Sequence, residues 1–478
     1  MRKQSIVKIN NYLWEISKSF RADMRVSARI YASEKIFDAI ENEALIQLVN
    51  TTTLPGIVKY AIGMPDIHSG FGPPIGGVGA MCLSDGIISP GFVGFDENCG
   101  VRLLLSNYQA NEIKPYLEKI ADEIQRQVPS GLGKGRQTKL SIQEINKILK
   151  QGVPYLVEQG YGKEQDIENC EAKGKIEQAD ANCVSERAKN RGRSQVGTLG
   201  SGNHFIEIQR VAEIFDEKIA KVFGLFKDQI VIMVHSGSRG LGHQNCTDYL
   251  KIAAQVMPKY GIKLPDKELA CMPLNSPEGQ RFFKAMSAAC NYAWTNRQMM
   301  TYHIRRAWKA ILGEKTELEL LYDVAHNIAK IEEHEVEDQK TKLIVHRKGA
   351  TRAFPPGHPE VPEKYRQVGQ PVLLPGTMGT SSYVLAGTKH GKGTFFSVAH
   401  GAGRAMSRRA AMKRISGQEV MNSLKLKKII VRCQSIRGIA EEAPIAYKNI
   451  DDIINVVEQA GLSKKVAKLV PLVVIKGE

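Results

Sequence analysis

Two segments of this chain share an arrangement that constrains its fold more than any other feature. A short apolar run closes on a histidine, and the backbone then breaks into a glycine turn. In VHSGSRGLGHQ the histidine is His235, which follows Ile230, Val231, Ile232, Met233 and Val234. In SVAHGAGRAMSRR it is His400, at the end of a run from Thr394 to Ala399. A short apolar run bounded by glycine reads as a buried strand, so each histidine stands where a strand leaves the core. The glycine backbone beyond it can turn its N–H groups toward an anion. Together the two segments point to phosphate chemistry.

The glycine-rich segments are spread from residue 63 to residue 403, and no Pro- or Ser-rich linker or fixed-period repeat divides them. The chain therefore reads as one large domain, 1–478, with a central sheet core. Strands are expected at Val101–Leu105, His204–Ile208, Ile230–Val234, Lys342–His346 and Thr394–Val398. Helical periodicity runs through Ile113–Gln127, Ser141–Leu149, Gly279–Leu312 and Arg404–Ile415. Because the strands are grouped and do not alternate strictly with helices, the expected class is α+β. Residues 129–195 are polar and basic, and read as an excursion from the core. They form either a solvated segment or an RNA-facing arm through Arg187, Lys189, Arg191 and Arg193.

A formal charge of +16 favours a polyanionic partner, nucleic acid ahead of a membrane surface. The sequence contains no signal-peptide pattern and no apolar run near the ~18 residues of a membrane span, so a cytoplasmic protein is expected. The eight cysteines show neither CxxC spacing nor the density of a disulfide scaffold. All but Cys99 read as reduced, packed residues.

In GFDENCGVRLL, Asp96 and Cys99 stand three apart between glycines, so one turn can aim a carboxylate and a thiolate at one point. Asn203 and His204 lie in GTLGSGNHF, and His326 and Asn327 lie in YDVAHNIAK. Aspartate, cysteine and histidine suit a divalent transition metal. One Asp, one Cys and three His exceed a single tetrahedral site, and two metals sharing the thiolate account for the set. His400, followed by glycines and by Arg404, Arg408 and Arg409, is either a nucleophile on phosphorus or a further ligand. The chain has no GxxxxGK[ST] loop and no KxDG motif. These residues suit phosphoryl transfer, and two readings are open beside it: a dinuclear metal-dependent RNA phosphoesterase or nuclease, and an RNA-binding protein without activity.

GMPDIHSGFGPPIGG, GFDENCGVRLL, GTLGSGNHF, VHSGSRGLG, AHN, HRKGATRAFPPG, LPGTMGTSSYVL and AHGAGRAMSR, in that order, resemble the motifs of the RtcB RNA ligases from about residue 60 onward. The resemblance implies a GTP- and Mn²⁺-dependent enzyme of tRNA splicing or RNA repair. It would join an RNA 3′-phosphate or 2′,3′-cyclic phosphate to a 5′-hydroxyl through a histidine–GMP intermediate, on tRNA halves or cleaved RNA. An archease-type activating protein is a possible partner. By the same resemblance His400 is the nucleophile. Cys99, His235 and His326 hold one manganese, Asp96 and His204 hold a second, and Cys99 bridges the two. The guanylate pocket carries over to Asn203, His204, Phe205, Ile206, Glu207, His326, Asn327, Pro375, Gly376, Thr377, Met378, Ser382, His400, Gly401, Ala402, Gly403, Tyr447 and Lys476. Asp66 and His68 fall near the RNA end, as do Arg404 and Arg408. Thr377 stands where the family often has serine, and Glu478 extends a terminus that commonly stops at Lys-Gly, which puts a carboxylate near the base pocket.

Overall fold

The computed structural model describes residues 6–131, 135–136 and 138–477. Two large sheets carry the architecture. The first has seven strands in the order Val7–Asn10, Leu13–Ile16, Ser27–Tyr31, Ile57–His68, Ile75–Cys82, Gln339–Lys348 and Asn327–Val336. The second orders Glu319–Ala325, Gly100–Gln109, Gln229–Ser236, Phe205–Ile214, Ser463–Lys476, Ser382–Gly387 and Pro371–Leu374, and Ile430–Arg432 pairs parallel to Ser463–Lys476. With helices packed against both, the α+β expectation holds.

The second sheet is apolar on both faces. Val101, Leu103, Phe205, Val231 and Met233 pack into one buried cluster. Their alternates Leu104, Ile206, Ile208, Ile232 and Val234 pack into another, with Met300, Ile304 and Trp308 of the helix Pro277–Leu312. Such a two-faced strand reads as a continuous apolar run, and the period-2 alternation assigns neighbours to opposite sides. The chain passes from one sheet to the other at His326, the single residue between Glu319–Ala325 and Asn327–Val336. A histidine that the sequence reading made a candidate ligand therefore sits at the seam.

Three expected elements differ. Thr394–Val398 is not a strand throughout: a 3₁₀ helix ends at Thr394, Phe395 and Phe396 take φ of +52° and +48°, and the strand covers Ser397–Ala399. The helix expected from Arg404 starts at Arg408, because Ser407 caps it by accepting from the Ala410 N–H. Residues 129–195 are no simple excursion. The helices Ile142–Gln151, Val153–Glu158 and Glu186–Gly192 bury Ile145, Ile148, Leu149, Val153 and Ala188 in the largest core cluster. Each helix hides one narrow apolar stripe, and its wide polar face dominates the composition. Among the described residues no helix is long and apolar enough to cross a membrane.

Candidate active site

The ends of several strands deliver the ligand-type residues to one place. Asp96 and Cys99 occupy the turn before Gly100–Gln109, closed by a 2.9 Å bond from the Cys99 N–H to the Asp96 carbonyl. Asn98 between them has φ of +52°, a conformation its short polar side chain tolerates. His235 is the last residue but one of its strand, directly opposite Val101 and Phe205, and His204 immediately precedes Phe205. A buried arginine locks these segments together. From the long helix, Arg297 donates to the carbonyls of Asn98 and Ser236 at 2.8 Å each and to both oxygens of Asp323, three residues before His326.

Two triads result, Cys99–His235–His326 and Asp96–Cys99–His204, each with its ligand atoms within 4.8 Å of one another and with Cys99 in common. Cys99 Sγ lies 3.4 Å from His204 Nε2 and 3.3 Å from His235 Nε2, which is 3.3 Å from His326 Nε2. His235 Nδ1 lies 3.1 Å from the Asn203 carbonyl. That oxygen can only accept, so Nδ1 carries the proton and Nε2 presents a lone pair. Burial holds His235 and His326 well below the ordinary imidazole range, reinforced by the neighbouring histidines. Neutral imidazole is the ligating form. Burial also opposes ionisation of Asp96, but the hydrogen bond and charge of His204 prevail and hold its carboxyl below the usual range. For Cys99, burial and then the Asp96 charge push the thiol far above its usual value. A bound divalent ion reverses that, since a coordinating thiol is deprotonated. Buried lone pairs converging on a sulfur form a set that cations satisfy, and the donor types fit a thiolate-bridged pair of divalent transition ions.

His400 lies outside both triads, its ring centroid 5.1 Å from that of His326. Asp66 Oδ2 is 2.5 Å from His400 Nδ1 and accepts the His400 backbone N–H at 2.9 Å. Asp66 is fully buried, yet the charge and hydrogen bonds of His400 keep its carboxyl below the usual range against the effect of burial. The carboxylate thus fixes the ring and its tautomer, with the proton on Nδ1. Asp66 serves His400 in this structure and turns no surface toward the cleft, where the sequence reading set it near the RNA end. Gly403 permits the arrangement, since at its φ of +65° a Cβ would lie 2.4 Å from the Asp66 carbonyl oxygen. His68 accompanies Asp66, with Nδ1 2.8 Å from the Asp66 carbonyl, and does face the cleft.

The cleft has a volume of about 400 Å³. Its walls include Asn203, Phe205, His326, Asn327, Pro375–Met378, His400–Gly403, Tyr447 and Lys476 from the expected pocket. Ile206 instead points to the opposite face of its strand, into the apolar core. Glu207 and Ser382 lie buried beyond the lining, joined through Gln209, whose amide donates to Glu207 at 2.6 Å and to Ser382 at 3.1 Å. Burial pushes the Glu207 carboxyl up to about 8. Arg404 and Arg408 reach the cleft but are held by buried Glu442 at 3.3 and 3.0 Å, and Tyr447 donates its hydroxyl to the same carboxylate. Sequence reasoning missed Glu442, Phe71, Phe95 and Lys348, all on the cleft wall. Lys348 stood inside HRKGATRAFPPG, the one signal that could have found it; Glu442 had none.

The four basic residues of the proposed arm do not act alike. Arg187 and Arg191 are exposed, and Arg191 bonds Gln244 at 3.1 Å. Arg193 donates to the Leu140 carbonyl at 2.6 Å. Lys189 is only 7% exposed, so an RNA-facing role does not hold for it: its helix turns that side into the core. Glu478 lies outside the described residues.

Comparison with known proteins agrees with the geometry. The family described as tRNA-splicing ligase RtcB matches residues 47–477. A tRNA-splicing ligase RtcB of Archaeoglobus fulgidus is 51% identical over 474 residues, covering 98% of both chains, and one of Thermococcus kodakarensis is 49% identical with the same coverage. An RNA-splicing ligase RtcB of Mycobacterium bovis is 49% identical over 435 residues, covering 90% of this chain and all of its own. Read with the shared-cysteine triads and the carboxylate-held His400, this extent of identity establishes that the chain belongs to the RtcB ligase family.

Proposed function

We propose that this chain is a GTP- and manganese-dependent RNA ligase that joins a 3′-phosphate or 2′,3′-cyclic phosphate end to a 5′-hydroxyl end, in tRNA splicing or RNA repair. The observation that carries this reading is a histidine held by a buried carboxylate beside, and not within, two ligand triads that share one cysteine. Cys99, His235 and His326 would hold one manganese ion and Asp96, Cys99 and His204 the other. Bound there, the ions would supply Lewis-acid neutralisation of phosphate charge.

Asp66 keeps the proton of His400 on Nδ1, so Nε2 is free to attack the α-phosphorus of GTP. An N–P bond forms, the α–β phosphoanhydride bond breaks, and pyrophosphate leaves. The buried Asp66 charge stabilises the imidazolium character that develops on the ring. Next, an oxygen of the RNA 3′-phosphate attacks the same phosphorus and releases His400, which activates the 3′-phosphate with a guanylate leaving group. Attack by the 5′-hydroxyl then makes the phosphodiester, and GMP departs. A cyclic phosphate is first opened to a 3′-phosphate in the same cleft. Pro375–Met378 and Gly401–Gly403 bring backbone close to the nucleotide, Tyr447 offers an aromatic face, and a guanine edge that reaches past the wall would meet Glu207 and Ser382, which Gln209 joins behind it. RNA halves left by cleavage are the substrate class, the site of action is cytoplasmic, and an archease-type activator is the proposed protein partner.

A metal-dependent phosphoesterase would use the same triads, but it leaves the Asp66–His400 pair without a task. The test presents paired RNA fragments with every combination of ends, with GTP or ATP and Mn²⁺ or Mg²⁺. Joining is expected only with a 3′-phosphate or cyclic phosphate, a 5′-hydroxyl and GTP, and best with Mn²⁺. Sealing of 3′-hydroxyl to 5′-phosphate ends, or cleavage without sealing, contradicts the proposal.

A further inference from the structure

Away from the cleft, a second cavity of about 440 Å³ opens between the helix Pro277–Leu312 and the helices of residues 142–158. The long helix contributes Met299, Tyr302, His303 and Arg306, whose spacing of three and four residues sets them along one stripe. Arg136 and Arg193 enter from the facing side, with Tyr155 and Tyr161. A smaller cavity of about 250 Å³ adjoins it and shares Tyr302 and Arg306; its other cations, Lys163, Arg305 and Lys309, are paired with Glu317, Asp166 and Glu314.

Three guanidinium groups therefore meet in one hollow, and none of them is matched by a carboxylate within ion-pair distance among the described residues. Arg136 donates to the carbonyls of Val196 and Gly197, and Arg193 to that of Leu140. The acid in the lining of the larger cavity, Glu144, accepts from the backbone N–H of Ser141 at the start of its own helix. Glu123, whose charge feels Arg306, is paired with Arg126 at 2.5 Å. The cations act on one another: after burial, the Arg306 charge is what lowers Arg136. Burial, then the charges of Arg136 and Arg306, push His303 down to about 3. An anion would relieve this repulsion. The aromatic rings decide which anion. Tyr302 packs edge-on against Tyr161 at 5.1 Å and lies under Arg306 at 5.8 Å, at the junction of the two cavities.

We infer that this basic, tyrosine-lined groove is a subsite for single-stranded RNA, with phosphates paired to Arg136, Arg193 and Arg306 and a base stacked on Tyr302. Cationic grooves with aromatic platforms are how proteins hold single strands without reading sequence. Val196 in its lining is eight residues from His204, so the loop between them spans at most about 28 Å. The inference rests on the RNA-ligase reading for its choice of polyanion, and deepens it by placing part of the strand outside the catalytic cleft.

The experiment measures fluorescence anisotropy of a short oligoribonucleotide with hydroxyls at both ends, which cannot react, across a range of salt. Wild type is compared with Arg306→Gln and Tyr302→Leu, and GMP attachment from GTP is assayed in parallel. Tyr302→Leu is expected to weaken RNA binding about fivefold or more. Arg306→Gln is expected to lower the salt slope by about 0.7, the value for one lost single-strand phosphate contact. Both should keep wild-type GMP attachment. If Tyr302→Leu does not fold, as judged by circular dichroism, Arg306→Gln decides alone. RNA affinity and salt slope equal to wild type in the folded variants would overturn the subsite, and so would weakened binding of inorganic phosphate with RNA affinity intact. A wild type that neither takes up GMP nor joins RNA would instead sink the functional reading, and the anisotropy comparison would still decide the groove.

Discussion

Asp66→Asn isolates the contribution of the carboxylate that holds His400. Asp66 Oδ2 takes two bonds from His400, at 2.5 Å from Nδ1 and 2.9 Å from the backbone N–H, and its Oδ1 is buried without a hydrogen-bond partner. An asparagine can enter in two orientations. Turning its amide nitrogen toward His400 would set donor against the backbone N–H, and would force the ring proton onto Nε2, the nucleophilic atom. Turning its oxygen toward His400 keeps both bonds and leaves the two N–H donors of the amide unsatisfied at the Oδ1 position, a cost of about 1–3 kcal/mol in stability. The second orientation wins, because the first keeps only a reversed bond to the ring and sets a donor against the backbone N–H. What disappears is then the charge. Bonds to a charged acceptor are worth about 1.5–3 kcal/mol each and roughly twice their neutral counterparts, so two bonds at half strength lose about 1.5–3 kcal/mol. If that difference is felt in full as the ring becomes positive, GMP attachment slows by about 10- to 150-fold. The assay is single-turnover transfer of labelled GMP from GTP, with manganese content measured by elemental analysis as a control. A rate equal to wild type would refute the account of Asp66. Lost manganese would refute it too, since Asp66 belongs to neither triad.

Four further outcomes follow from the same geometry. Cys99→Ala should lose both ions, while His235→Ala should disturb mainly one; elemental analysis of the folded variants decides, and unchanged stoichiometry without Cys99 would make it only packed core. Because Glu207 titrates near 8 when buried, pairing its ionised form with guanine expels a proton, so GTP affinity should rise with pH up to about 8; calorimetry should find that dependence absent in Glu207→Gln. His346, buried and stacked on Phe92, is depressed by burial from the usual 6.5 to about 3. The unfolded chain takes up its proton first as pH falls below 6.5, so stability from this group is full above that value and declines toward pH 3; metal-free protein should melt at lower temperature across that window, and less so with His346→Phe. Removing Arg297, a fully buried charge partner of Asp323, should cost about 3–5 kcal/mol in urea unfolding of Arg297→Met.

Much of the site was legible because its residues sit in long local signals. Cys99, His204, His235 and His400 each flank a glycine turn at a strand end, and a strand end is where a side chain is both fixed by the sheet and open to a cleft. The α+β class followed from grouped apolar runs. What could not be read depends on contacts between distant segments. Asp66 and His400 are 334 positions apart and meet only because the strand Ile57–His68 ends beside the His400 turn. Glu442 carries no local pattern, and its importance lies in the two arginines and the tyrosine it gathers. The placement of Ile206 against Glu207 shows the limit of transferring a run of residues: in a strand, neighbours face opposite sides, so a contiguous pocket list always includes one residue that faces away. Of the helices in residues 142–192 only the first, Ile142–Gln151, showed its period in the sequence; Val153–Glu158 and Glu186–Gly192 were hidden by composition, since their buried stripe is narrower than their solvated face.

The central claim is that His400 is a nucleophile and the triads are not. The most direct measurement is intact and peptide mass spectrometry after incubation with GTP and Mn²⁺ in the absence of RNA. The account predicts one acid-labile GMP per chain, on the peptide containing His400, absent from His400→Ala while that variant keeps the manganese content of the wild type. A GMP adduct that persists in His400→Ala, or one mapped to a lysine, would contradict it.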